Sequence, residues 1–424
     1  SVNQRLLVIG GGITGMSAAL SMADQGFGVD LVEKTPDLGG NACRIYQTAS
    51  GTDVQTALAA LADKVMNHSK ITVHLASQLQ SVKGFVGNFE TLVESPSGRS
   101  VVRHGAAVIA TGASELEPEE YLYGTDHRIV TGLELDEKFI RRDDDLNTCK
   151  SVVFIQCVGS REPHRPYCSR ICCTHSVASA LHIKKLNPAA DVYILYRDIR
   201  TYGEKELLYQ KAREAGVVFI RYAVDNKPEV CSGNRHLEVT VTDHVLNRPV
   251  RIFADMLVLA SAVIALKDDS LAKLFKVPMD SDGFFVEAHV KLAPSSFAVD
   301  GVFLGGLAHY PKPIDESIAQ AQAAASGVSR LFARTDIRTL GNTAGVDPVM
   351  CSACGVCVQV CPYNAPFLMT EGRFAGKADV NPVLCKGCGL CVASCRSGAA
   401  GLKGFEEQQI MAMIDHAFYS EIVS

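Results

Sequence analysis

The sequence predicts an α/β chain: two Rossmann-like dinucleotide-type domains followed by a bacterial two-cluster ferredoxin domain. Three observations predict it. A strand–GGGITG–helix–strand unit closed by an acidic residue opens the chain, and strands and helices alternate again from Ser151. Eight of the 15 cysteines then fall between Cys351 and Cys395. At roughly 150 residues per domain, 424 residues make two to three domains. The net charge of −5 gives no electrostatic case for nucleic acid or an anionic membrane. Apolar stretches such as Met256–Leu266 are far below the ~20 residues a bilayer span needs. No charged-then-apolar leader opens the chain, so no secretory signal is expected and the location expected is cytoplasmic. Clustered thiols in such a chain bind metal more often than they form disulfides.

Element by element, Arg5–Ile9 reads as a strand, the stretch to Gln25 as a helix and Val29–Glu33 as a second strand. A helix over Thr52–Asn67, strand-like alternation from Ile71 to Val102 and a strand at Ala106–Ala110 follow. Glu115–Lys150 is charged and turn-rich, which places a boundary there. Strands at Ser151–Gln156, Asp191–Tyr196 and Val217–Tyr222 then alternate with helices at Ser169–Leu186 and Glu204–Glu214. Leu237–Thr242 and Arg251–Leu259 are strand-like, Ser317–Ala333 is helical, Arg334–Asp347 is a linker, and Glu406–Phe418 is a helix with Ile410, Ile414 and Phe418 on one face. The expected division is a flavin-type domain at 1–148 that resumes at 263–335, an inserted unit at 149–262, the ferredoxin domain at 345–404 and a terminal helix at 405–424.

The first loop carries glycines at 10, 12 and 15. Gly10 permits the tight turn, Gly12 lets backbone approach a pyrophosphate, and Gly15 allows close helix–strand packing. The helix N-terminus, with Ile13 and Thr14, offers free N–H groups to phosphate, and Glu33 is spaced to accept from a ribose, with Lys34 beside it. Gly39-Gly40, Ala110-Thr111-Gly112 and Gly305-Gly306 favour FAD over NAD, and Leu79, Lys312 and Ile314 complete the candidate cofactor wall. The set resembles two-domain flavoproteins of the thioredoxin reductase and glutathione reductase type. Those usually carry an Asp in the last motif, and Gly305-Gly306-Leu307-Ala308 has none. Lys312 is read either as a neighbour of the flavin pyrimidine edge or as a surface or pyrophosphate-facing lysine. His309 and Tyr310 are packing residues or flavin contacts.

The second unit has no phosphate loop. Its first strand runs into Cys157-Val158-Gly159-Ser160-Arg161, without GxGxxG, so a nicotinamide site is not expected. Cys157, Cys168, Cys172 and Cys173 stand there instead, as C-x10-C-x3-C-C. Structural cysteines, a redox disulfide and an iron–sulfur cluster all fit that spacing. Against a disulfide, there is no C-x-x-C, and a bridge between adjacent cysteines is strained. In favour of a third [4Fe–4S] cluster, four thiolates lie beside a helix start with Arg161, Arg165 and Arg170 nearby.

The C-terminal pattern is the most specific. Cys351-x2-Cys354-x2-Cys357-x3-Cys361-Pro362 is followed by Cys385-x2-Cys388-x2-Cys391-x3-Cys395. In this double run the fourth cysteine of each ligates the other cluster. One [4Fe–4S] cluster would use Cys351, Cys354, Cys357 and Cys395, and the other Cys385, Cys388, Cys391 and Cys361. Arg396 stands where Pro commonly follows and removes no ligand. Zinc rarely shows this rhythm.

The flavin-type domain, the string Cys157–Arg161 with Pro166–Cys173, the Gly301–Ala325 stretch with Pro311–Ile314, and the ferredoxin runs together resemble the HdrA-like iron–sulfur flavoproteins of the heterodisulfide reductase family. The likeness is to a compact bacterial type without the N-terminal extension, related to components of quinone-interacting oxidoreductase complexes. It implies FAD, a cluster at Cys157, Cys168, Cys172 and Cys173, and an oxidoreductase subunit that passes electrons between ferredoxin-type clusters, flavin and partner subunits, with electron bifurcation or confurcation as a possible mode. Its implied partners are other redox subunits, both iron–sulfur and electron-input, with no nucleic acid, no direct membrane span and a dimer of complexes as one assembly. No acid–base pair or nucleophile stands out, so disulfide chemistry is expected elsewhere in such a complex. The alternatives are a flavin-dependent NAD(P)H:ferredoxin oxidoreductase and a non-bifurcating electron-wiring subunit.

Overall fold

The computed structural model describes residues 1–266, 269–336 and 341–422, with side chains up to 417. Part of the expected linker and the Phe418 side chain therefore lie outside the described residues. In chain order, β1 (Arg5–Ile9), α1 (Ile13–Asp24), β2 (Gly28–Val32), α2 (Val54–Asn67) and β3 (Ile71–His74) begin the first unit. An antiparallel meander of β4 (Gln78–Phe85), β5 (Asn88–Ser95) and β6 (Gly98–His104) leads to β7 (Ala106–Ile109) and β8 (Ala113–Glu115). The second unit holds β9 (Ile129–Thr131), α3 (Gly132–Arg141), α4 (Asp145–Thr148), β10 (Ser151–Val158), α5 (Cys172–Leu186), β11 (Asp191–Tyr196), α6 (Glu206–Glu214) and β12 (Val218–Arg221). A second meander, β13 (Glu229–Ser232), β14 (Leu237–Asp243) and β15 (Arg248–Ala254), precedes β16 (Met256–Ser261). β17 (Val263–Ala265) pairs with β8, α7 (Asp269–Phe275) follows, and β18 (Val302–Leu304) and α8 (Ile314–Phe332) return to the first unit.

Both main sheets are parallel and five-stranded, in the orders β18-β7-β1-β2-β3 and β12-β11-β10-β16-β9. Central strands buried on both faces explain the continuous apolar runs LLVI and VVFI. In the first sheet the order reverses between β1 and β7, the position at which such sheets open a ligand crevice. On one face α1 and α8 pack through Met16, Ala19, Ala321 and Ala324, three of them alanines that allow close approach.

Two expectations need correction. The stretch Glu115–Lys150, expected to be charged and turn-rich, also holds regular structure: β9 pairs with β16 and α3 packs beside it, so the second sheet reaches back to Ile129. Their signal was faint because β9 has three residues and α3 buries only Leu135, Asp136 and Phe139. The helix start is fixed by a capping box, Glu134 N donating to Thr131 Oγ1 and Thr131 N to Glu134 Oε2. The run Arg251–Leu259 is two strands, broken at Asp255, whose carboxylate accepts from the Lys150 and Ser151 amides at 2.7 and 3.1 Å.

The C-terminal module is made of β19 (Ala344–Val346), α9 (Val356–Val360), β20 (Pro366–Leu368), β21 (Ala378–Val380), α10 (Leu390–Ala393) and β22 (Ala400–Leu402). β19 pairs with β22 and β20 with β21, and α11 (Glu407–Ile422) follows. A Lys386–Asp300 ion pair ties the module to the first unit. Among the described residues no helix is long and apolar enough to cross a membrane.

Candidate redox sites

A cavity of about 1640 Å³ opens at the carboxyl ends of both main sheets. Its wall includes Gly10, Gly12, Ile13, Thr14, Glu33, Lys34, Gly39, Gly40, Leu79, Ala110, Thr111, Gly112, Lys312 and Ile314, all candidates from the sequence. Gly15, Gly305 and Gly306 lie behind it. A side chain at Gly15 would run into the Gly10 carbonyl, and one at Gly306 into Thr14, so these positions press α1 against its neighbours. Gly12 and Gly112 are different, with open space where a Cβ would stand. Together with the uncapped N-terminus of α1, they form a backbone cradle open to a phosphate group, so the residues present fit a dinucleotide.

Glu33 is buried at the end of β2. Its carboxylate accepts from Gly11 N at 2.6 Å and from the amide and hydroxyl of Thr35 at 2.8 Å each, which fixes its orientation at the cavity edge. Lys312 is not a surface residue. It is 8% exposed, and its Nζ donates to Gly306 O at 2.7 Å and Tyr310 O at 2.9 Å. Burial lowers its pKa to about 7, and the Arg170 charge adds to that. His309 is held between Glu287 at 2.9 Å and Gln320 at 2.8 Å, and Tyr310 packs its ring against Phe284 and Tyr167; neither lines the cavity.

The other side of the cavity belongs to the second unit. Arg170, Cys172, Thr174 and His175 line it. His175 Nε2 lies 3.0 Å from Asp136 Oδ2. Burial opposes its charge, but Asp136 prevails and raises the pKa above the ordinary histidine value. Sequence reasoning missed His175 and Asp136, because the partner lies in the segment read as charged and turn-rich.

Cys157, Cys168, Cys172 and Cys173 are brought together. Burial pushes the Cys172 thiol well up, and repulsion from Cys173, Cys157 and Cys168 adds to it. Arg161 and Arg197 oppose the burial of Cys157 with positive charge. Arg170 N donates to Cys168 Sγ at 3.3 Å. Such N–H···S contacts suit thiolates that must share negative charge.

In the C-terminal module the two runs interleave. Cys391 is raised by burial and then by the neighbouring charges of Cys361, Cys385 and Cys388, and these four line one small void. Cys357 is raised by burial and by Cys351 and Cys354, and Cys395 acts electrostatically on Cys354. Ala344 and Gly387 amides donate to Cys385 Sγ at 3.2 and 3.5 Å, and those of Ala353 and Ala378 to Cys351 Sγ at 3.4 and 3.5 Å. All 15 cysteines are free of disulfides. Among the described residues no three Cys, His, Asp or Glu side chains close on one point, as a single zinc ion would need.

Comparison with known proteins agrees with this layout. Residues 8–67 match the NAD(P)-binding Rossmann-like domain, and residues 350–399 the 4Fe-4S dicluster domain. The fold is similar to thioredoxin reductase from Lactococcus lactis (TM-score 0.53, 14% identity, 78% of this chain and 99% of that one). Thioredoxin reductase from T. acidophilum is comparable (TM-score 0.52, 16% identity, 78% and 98%). The chain is therefore built on a two-domain reductase fold of the thioredoxin reductase type with a 4Fe–4S dicluster domain attached. It is 34% identical to the A-type iron–sulfur subunit of the CoB–CoM heterodisulfide reductase of Methanocaldococcus jannaschii, over 98% of this chain and 77% of that one. It is 32% identical, over the same shares, to the A-type subunit of the H2/formate:CoB-CoM heterodisulfide,ferredoxin reductase of Methanococcus maripaludis. It belongs to the HdrA family, the A-type subunits of heterodisulfide reductase.

Proposed function

We infer that the chain is an electron-distributing subunit of a heterodisulfide reductase-like complex in the cytoplasm. It would hold one FAD in the large cavity, two [4Fe–4S] clusters in the C-terminal module, and a third at Cys157, Cys168, Cys172 and Cys173. The observation that carries this reading is the shared cavity: the Gly10–Gly15 loop forms one wall and Cys172 part of the other, so flavin and middle cluster would face the same chamber. Bound FAD supplies exchange between electron pairs and single electrons, and hence a place to split or merge them. The chain's own residues do the rest. Gly12 and the α1 N-terminus receive phosphate, Glu33 presents its carboxylate edge, and Arg170 places positive charge on the cavity wall, joined by Lys312 when it is protonated. Partners would be iron–sulfur and electron-input subunits, in a complex able to pair as a dimer.

The β10–α5 connection disfavours direct oxidation of NAD(P)H, because α5 begins at Cys172 and offers no glycine turn to a second dinucleotide. Anaerobic reconstitution with flavin and iron analysis tests the reading. One FAD and about twelve irons per chain are expected, with the flavin unbleached by NADH or NADPH. About eight irons would remove the middle cluster, and bleaching would restore the nicotinamide alternative. Strongly crossed one-electron potentials of the flavin would mark a splitting site; ordered, well-separated ones would leave a wiring subunit.

A further inference from the structure

Buried polar side-chain atoms without a partner cost about 1–3 kcal/mol each and are rare in folded proteins. Among the described residues only four such atoms occur, and they belong to three residues: Gln156 Nε2 and Oε1, Thr174 Oγ1 and Arg197 Nε. Gln156 is fully buried, Arg197 is 4% exposed and Thr174 7%.

All three adjoin residues of the four-cysteine site. Gln156 precedes Cys157 on β10, and Thr174 follows Cys173 in the first turn of α5. Val152 and Phe154 pack against Val177 and Ala180 of α5, and Gln156 follows them near the end of β10, where the strand's register slips between Ile155 and Val158. Thr174 lies one turn before Val177, and it lines the cavity together with Cys172. Arg197 reaches the end of the sheet from the other face, where Ile155 and Leu195 pack. Its Nη1 donates to Arg161 O at 2.9 Å and its Nη2 is paired with Glu162, which leaves Nε as the free donor of a positive group near Cys157.

Three of the four atoms can donate. A ring of donors without a matching acceptor suits an anionic, acceptor-only group, which is the chemistry of sulfides and thiolates in a cluster. We propose that Gln156, Thr174 and Arg197 are the hydrogen-bond shell of the middle cluster and raise its reduction potential. The inference rests on the reading that the four cysteines hold a cluster. When the cluster takes one electron, no bond forms or breaks and no proton moves; the donors stabilise the added negative charge and so favour the reduced state.

The test is a redox titration of the complete reconstituted chain, followed by electron paramagnetic resonance, in T174V, T174S and Q156L. T174V and Q156L should keep about twelve irons and leave the two ferredoxin-module signals in place. The third signal should shift so that its reduced-to-oxidised ratio at a fixed potential drops about tenfold, which for one electron is about 59 mV. T174S keeps the hydroxyl and should restore the parental midpoint. An unmoved third midpoint in both T174V and Q156L, with iron retained, would overturn the inference and assign the donors to water. If instead the parent chain holds about eight irons and shows no third signal, the cluster reading itself fails.

Discussion

The chain uses one strand-to-helix junction twice and fills it in opposite ways. Between β1 and α1 stand three residues, Gly10–Gly12; between β10 and α5 stand thirteen, Gly159–Ile171. The first junction removes side chains and leaves its backbone open to the cavity. The second bends its backbone and presents side chains: Cys157 near the end of β10 and Gly159, Arg161 and Arg170 in the loop all have positive φ, of 62°, 69°, 59° and 61°. Non-glycine residues held that way cost of order 1–3 kcal/mol each and need rigid surroundings. Those are present: Arg165 Nη1 donates to Gly159 O at 2.6 Å, Tyr167 Oη to Val263 O at 2.9 Å, and Val263 N to Ser169 Oγ at 2.9 Å. One topological position can therefore serve an anion or a set of thiolates, depending on whether the loop is short and bare or long and anchored.

The comparison breaks most visibly at its glycines. At Gly15 an added methyl would meet the Gly10 carbonyl, backbone that cannot move without shifting β1 and α1 together. G15A is expected to lose bound flavin altogether and to cost about 1–3 kcal/mol or more, seen as a lowered melting midpoint. At Gly159 the nearest obstacle is the Leu116 side chain, which can rotate away. G159A should cost about 1 kcal/mol, mainly from its left-handed backbone, with flavin retained. Equal loss of flavin in both variants would mean that the second loop is as intolerant of added bulk as the first.

Next in size are the thiolates. C172S should lower iron by about four per chain and leave the C-terminal module intact. C361S should disturb the site shared with Cys385, Cys388 and Cys391, and C395S the one shared with Cys351, Cys354 and Cys357. Spectra of the two single variants that lacked the same signal would refute the interleaving.

How much of this could be read from the sequence follows the same divide. The first junction and the cysteine runs are local patterns, with every informative residue within a few positions of the next, so their elements and spacing were legible. The second junction depends on distant partners. Arg197 approaches Cys157 from β11, and Asp136 holds His175 from α3, a helix whose apolar side is two residues wide. Gln156 read as one more residue of a buried strand, because a polar side chain without a partner has no sequence signature. Lys312 was ambiguous for a similar reason: its burial comes from the carbonyls of Gly306 and Tyr310 folding over it.

The smallest expected effect separates Lys312 on the cavity wall from the arginines beside the cysteines by its response to pH. On the first wall Lys312 can titrate, while Arg161 and Arg197 beside the cysteines stay charged at any working pH. In the unfolded chain Lys312 has the ordinary value of 10.5, and in the folded chain burial, aided by Arg170 and opposed by Glu316 and Glu287, lowers it to about 7. Below pH 7 both states carry the proton and the folded chain bears the full penalty of a buried charge. Between about 7 and 10.5 the unfolded state binds the proton and the folded state does not, so this residue's contribution to stability rises with pH, by at most about 1.4 kcal/mol per unit. The carbonyls of Gly306 and Tyr310 hold the charged form and trim that slope. K312M removes it. Denaturant unfolding of parent and variant at pH 7 and pH 9 should show the parent gaining on the order of 1 kcal/mol relative to K312M, since all other groups titrate alike in both. Parallel pH profiles would mean that Lys312 keeps its proton in the folded chain, held by those two carbonyls, and carries a fixed charge as Arg161 and Arg197 do.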